Sequence, residues 1–190
     1  MNTFPRRYHM YARQIGEQVA NLWLSNQLTI RRVRRVIRSV IGDDVRLSSG
    51  AFRTTAILPN GVIKVPHDEA AIRSTFSEAR IFEVVKHNKN IARHFPNAEL
   101  VTVEGIPVLI QSKVDNIARF TDWDSLDHVI EFGQKIGVGD VHLHNYGWGE
   151  DEHGIYPIFI DCETTNRAVA PTLHEVHRMS QKRARWSYPL

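Results

Sequence analysis

Asp140-Val141-His142-Leu143-His144-Asn145, followed by Ile158-Phe159-Ile160-Asp161, is the stretch on which the fold of this chain turns. Asn145 stands five positions after Asp140, and Asp161 closes an apolar strand 16 residues further on. Transfer of a γ-phosphoryl group needs one carboxylate to orient the acceptor hydroxyl and two oxygen ligands to hold magnesium across the phosphates. Asp140, Asn145 and Asp161 supply those groups in a workable order. Short Asp and Asn spacings are common, so the weight lies in what precedes them.

Upstream the pattern is one of strands. Val45 to Ala51 and Arg53 to Leu58 read as two strands, Pro59-Asn60-Gly61 as a turn, and Val62-Ile63-Lys64-Val65 as a third strand. Pro66 and Asp68 open a helix predicted to reach about His87. Ala98 to Val103 and Ile106 to Gln111 pair around Glu104-Gly105. Asp122 to Ile136 is helical, with Gly137 closing it; Tyr156 to Ile160 is a strand, and Pro171 to about Arg185 a last, basic helix. An α+β fold follows from that order.

Candidate binding residues lie inside the sheet. Ser49 and Gly50, before Phe52, occupy the first turn, where small residues let backbone N–H groups approach phosphate oxygens. Gly50 is where a side chain would most obstruct them. Lys64 comes 14 residues later, at the centre of an apolar strand. A lysine there usually points to solvent; the functional alternative is an ammonium that reaches phosphate and is held by a carboxylate on the next helix. Glu78 meets that need, because Phe82 and Val85 follow it at i+4 and i+7 on one inward stripe. A charge on such a stripe needs a partner. Glu83 is the rival, without Phe76, Ala79 and Phe82 to fix it inward.

Two helices precede the sheet. The first, from about Tyr11 to Leu24, carries Ile15, Val19, Leu22 and Trp23 at helical spacing. The second has Thr29 as N-cap, Gly42 as stop and an apolar face of Ile30, Val33, Val36-Ile37 and Val40-Ile41. Its other face holds Arg31, Arg32, Arg34, Arg35 and Arg38, five arginines in eight residues. That face either meets nucleic acid or an acidic partner, or is simply solvated. No aromatic residue is interleaved to stack bases.

At 190 residues the chain can bury a real core. With 42% hydrophobic and 24% charged residues it has an ordinary globular composition, and no apolar run approaches the roughly 20 residues that span a bilayer. The start, Met1-Asn2-Thr3-Phe4-Pro5-Arg6-Arg7, lacks a secretory apolar core. Cys162 is the single cysteine, which predicts a reducing, cytoplasmic setting. The net charge of +3 is small, so any polyanion binding would be local.

Taken together, Ser49-Gly50-Ala51-Phe52, Leu58-Pro59-Asn60-Gly61-Val62-Ile63-Lys64-Val65, Asp140 to Asn145 and Ile160-Asp161 resemble the protein-kinase-like fold. The nearest resemblance is to the small serine/threonine protein kinases of short-tailed lytic bacteriophages. The Asp-x-His-x-x-Asn order is also similar to aminoglycoside phosphotransferases. The resemblance spans roughly Val45 to Asn166. It implies a minimal α+β two-lobe fold: an N-terminal helical extension over residues 1–42, an N-lobe with a five-stranded antiparallel sheet over 43–113 and a truncated C-lobe over 114–190. It implies ATP and Mg2+ as cofactors, with Ser49, Gly50, Phe52, Lys64, Glu78, Gln111 and Lys113 around the nucleotide. Asp140 would be the base beside Lys64 in catalysis, Asn145 and Asp161 the metal ligands, and His142 a brace for the loop. Protein hydroxyls, host proteins in a host cytoplasm among them, would be the acceptors. Ser48 and Arg53 stand where two further phosphate-loop glycines are usual, Val138-Gly139-Asp140 replaces His-Arg-Asp, and Asp161-Cys162-Glu163 replaces Asp-Phe-Gly.

Two other readings start from the same residues. A metal-dependent hydrolase would use Asp140, His142, His144 and Asp161, with Glu163, His174 and His177 nearby, since His-x-His on a strand points both rings one way. It leaves Gly50, Lys64 and Glu78 without a role. A nucleotide-binding pseudokinase would instead use the arginine helix and the basic tail (Lys182, Arg183, Arg185) to engage a host protein or nucleic acid.

Overall fold

The computed structural model describes residues 4–118, 123–139, 141–152, 154–161 and 163–164. Asp140, Cys162 and the expected helix from Pro171 to Arg185 lie outside the described residues. The chain divides into two compact units, Met1–Ala79 with Asn97–Lys113, and Arg80–Pro96 with Val114–Leu190. Together the described elements form an α+β protein with a five-stranded antiparallel sheet.

In the first unit, α1 (Arg6–Leu24) and α2 (Ile30–Ile41) precede the strands β1 (Arg46–Ser49), β2 (Arg53–Leu58) and β3 (Gly61–Pro66). After α3 (Glu69–Val85) come β4 (Ala98–Val103) and β5 (Ile106–Ser112), in the sheet order β1-β2-β3-β5-β4. The first helix starts at Arg6, before the predicted Tyr11, because Tyr8 extends its buried stripe backwards through Ala12, Ile15 and Val19. The Tyr8 hydroxyl accepts the Asn60 N–H at 3.3 Å, a contact across 52 residues that local periodicity does not reveal. Gly16 lets this helix lie against β4: a Cβ there would sit 2.9 Å from a Val103 methyl.

The boundaries of α2 follow local chemistry. Thr29 Oγ1 accepts from Arg32 N, and Gly42, at φ 124°, donates its N–H to Arg38 O. Val33, Val36 and Ile37 are buried, so the arginines take the outer face. Like charges three and four positions apart each cost about 0.2–0.5 kcal/mol, and this helix has no acid to offset them.

Strand register sets two faces on the sheet. Ala56, Leu58, Ile63, Val65, Ile106, Val108 and Ile110 join α1 and α2 in one core. Alternation sends Arg53, Thr55 and Ile57 of β2 to the opposite face, with Lys64 of β3 paired between Thr55 and Leu109. Gln111, opposite Val62, shares that face.

The second unit holds the short α4 (Lys89–Ala92), α5 (Trp123–Lys135) and two strand pairs, β6 (Val138–Gly139) with β9 (Glu163–Thr164) and β7 (Tyr146–Asp151) with β8 (Gly154–Phe159). The predicted strand at 156–160 is thus the return arm of a hairpin. Its partner, Tyr-Gly-Trp-Gly-Glu-Asp, is masked in sequence by glycines, and these answer to close approach. A Cβ on Gly147 would lie 2.7 Å from the Asn116 carbonyl oxygen. Rings form the core: Phe95 meets Phe82 edge-on at 6.1 Å and Phe159 at 5.8 Å, and Phe132 stacks on Phe159. Among the described residues no helix is long and apolar enough to cross a membrane.

His94 is locked into this core. Its Nδ1–H donates to Pro157 O at 2.8 Å, and its ring lies 4.6 Å from that of Phe132. Burial, reinforced by the Arg93 charge and opposed by the Pro157 bond and Asp151, lowers its pKa from 6.5 to about 4. A neutral imidazole therefore stabilises the fold fully above pH 6.5, and the contribution is lost as pH falls toward 4. Between pH 7 and 5 unfolding free energy should drop by about 2 kcal/mol from this group. Urea titrations at both pH values check it: His94→Phe should flatten that drop, and an unchanged pH slope in the variant contradicts it.

Candidate functional site

The first unit brings two of the sequence candidates and one unforeseen residue together. Lys64, 6% exposed, is turned from solvent, and its Nζ lies 2.8 Å from Glu78 Oε1. Glu78 is fully buried on the α3 stripe shared by Ala71, Thr75, Phe82 and Val85. The Arg53 guanidinium, itself 7% exposed, donates to the other carboxylate oxygen. One carboxylate is thus clamped between two buried cations, which fixes the position of the Lys64 ammonium on the sheet face away from α1 and α2. Glu83, the rival, is 64% exposed at its side chain and pairs with Lys86.

The β1–β2 turn sits beside Arg53. Gly50 N donates to Arg53 O at 3.0 Å, and buried His67 holds the turn twice: its Nε2–H to Ala51 O at 3.0 Å and its backbone N–H to Phe52 O. Gly50 has no positive φ, and a Cβ there meets nothing within 4 Å. The fold itself therefore does not require glycine at this position. Ser49 and Phe52 are exposed, and the Ser49 hydroxyl lies 3.3 Å from that of Thr54. Gln111 is 1% exposed, and its amide nitrogen finds no hydrogen-bond partner among the described residues. A buried amide donor left so costs about 1–3 kcal/mol. Lys113, just past β5, is exposed.

In the second unit, Asn145 and Asp161 come to one end of the β7–β8 hairpin. Tyr146 pairs with Phe159, and the ladder continues as Ile160 N donates to Asn145 O at 2.9 Å, leaving Asp161 next in the chain. Asn145 N closes a turn onto His142 O at 3.0 Å. His144 within that turn takes φ 82°, a left-handed conformation that a non-glycine residue adopts only under constraint. The His142 ring is exposed and donates Nδ1–H to the neighbouring Leu143 O at 2.6 Å. Gly139, which leads into Asp140, pairs with Glu163. Among the described residues no three His, Cys, Asp or Glu side chains gather as a metal cage.

Arg53 and His67 escaped sequence reasoning. Arg53 was visible only as a replaced glycine. Its face follows from alternation with Thr55, but only once the pairing of Thr55 with Lys64 is known. No protein-family model matches the chain, and no curated protein does.

Proposed function

We propose that this protein is a minimal ATP- and magnesium-dependent phosphotransferase of the protein-kinase-like class, transferring phosphate to hydroxyls on proteins. The observation that carries this reading is the buried Lys64–Glu78 pair on the face of an antiparallel sheet turned away from α1 and α2. A solvent lysine needs no such carboxylate. An ammonium that must stand still against phosphate oxygens does, and Arg53 shares the task. On the same face the Gln111 amide nitrogen, which has no hydrogen-bond partner among the described residues, would offer a donor to an adenine edge.

Asn145 and Asp161 are oxygen donors of the kind magnesium takes, and the hairpin ladder puts their backbones together. Bound there, the metal would neutralise charge on the β- and γ-phosphates. Lys64 would hold phosphate, Gln111 would orient the base, and Asp140 would accept the proton of the acceptor hydroxyl. Catalysis of this kind is mostly positioning and charge stabilisation. The two-lobe kinase arrangement, and a relationship to the small bacteriophage serine/threonine kinases with host proteins as targets, belong to this proposal.

Incubation with γ-labelled ATP and magnesium, with and without a cell lysate, tests it. Label on the protein itself or on lysate bands is the expected result. Thermal stabilisation by ATP without any labelling would make the protein a nucleotide-binding pseudokinase. A response to zinc alone, with none to ATP, would remove the proposal.

A further inference from the structure

The outer face of α2 departs from a local pairing that cations on or beside α3 and α5 keep. Arg73, Lys86 and Lys135 each sit beside an acid three or four residues away. Arg31, Arg34, Arg35 and Arg38 have no acid within their helix, and no ion pair to any of the four is present among the described residues. Arg31 also stands in the first turn, where the helix dipole disfavours a cation. A cavity of about 690 Å³ is lined by these four arginines with Ile30, Ser39 and Asp43. Arg32 is drawn aside by Gln27, which accepts from its guanidinium. Rules broken together on one surface are expected where a ligand compensates for them.

We propose that this surface binds the phosphodiester backbone of duplex nucleic acid, independently of sequence. Arginine is the residue that meets phosphate oxygens two at a time. From Arg31 to Arg38 the stripe rises about 10 Å along the helix, and four successive phosphates of one strand occupy about 10 Å of duplex axis. The lining has no aromatic ring to stack bases and no Asn or Gln to read their edges, so the contact positions without specifying. An acidic protein segment offers carboxylates without that fixed spacing. This site is independent of the phosphotransferase reading, and either can fail without the other.

The test is fluorescence anisotropy of the full chain with a fluorescein-labelled duplex of about 20 base pairs, between 50 and 200 mM salt. Wild type should bind with a steep salt dependence. Arg34→Gln/Arg38→Gln should lower the slope of log K against log salt by about 2 and weaken binding roughly tenfold or more. Arg31→Gln/Arg35→Gln should do the same, and circular dichroism should show both folded. Arg73→Gln/Lys86→Gln, an equal charge change elsewhere, should leave binding intact. No binding at 50 mM salt, an unchanged slope in both arginine variants, an equal loss in the control, or tighter binding of polyglutamate than of the duplex would each overturn the proposal.

Discussion

Glu78→Ala is expected to lower the unfolding free energy by about 3–5 kcal/mol, the range for removing one partner of a buried ion pair. Lys64 and Arg53 are 6% and 7% exposed and converge on the two oxygens of this one carboxylate. Its removal leaves two cations side by side in a region of low dielectric. Lys64→Met should cost less, because Arg53 still neutralises Glu78. Replacing all three by apolar residues of similar volume should recover most of the loss, since desolvation of the charges then disappears with them. Denaturant unfolding of the three variants measures this directly. A Glu78→Ala cost below about 1 kcal/mol, the level of an exposed pair, would mean the triad is not buried in solution.

On the proposed phosphotransferase reading, Asp140→Asn should reduce phosphoryl transfer about 10²–10⁴-fold while sparing nucleotide affinity, as expected for loss of a general base. The amide keeps the volume and accepts a hydrogen bond, but it cannot take a proton. Asp161→Asn should act differently. In the proposed site it would weaken the oxygen field offered to magnesium, so nucleotide binding itself should fall, and only when magnesium is present. Steady-state rates and titration with a fluorescent ATP analogue separate the two. Wild-type rates in both variants would mean the roles assigned from the sequence are wrong.

Much of the fold was legible because its signals are local. Thr29 and Gly42 bound α2 by capping chemistry that needs nothing beyond a few neighbours. Asp68 starts α3 in the same way, its carboxylate accepting the Ala71 N–H at 2.7 Å. Glu78 was legible from the stripe it shares with Phe82 and Val85. Lys64 was only half legible: an apolar strand with a central lysine fits solvent or ligand, and the pairing of Thr55, Lys64 and Leu109 is what fixes its face. Arg53, His67 and the β7 arm were not legible. Each depends on a partner distant in sequence: Glu78 for Arg53, Ala51 for His67, and Asn116 beside Gly147.

The central claim is that Lys64 stands against the phosphates of a bound nucleotide. An acyl phosphate of ATP tests this by chemistry, because an amine held at that position attacks the acyl carbon, forms an amide and releases ATP. Peptide mapping after brief treatment in magnesium should find the acyl group on Lys64 and should lose that signal under excess ATP. Label spread over the exposed Lys86, Lys89 and Lys135, with Lys64 unmodified and ATP without effect, would contradict it.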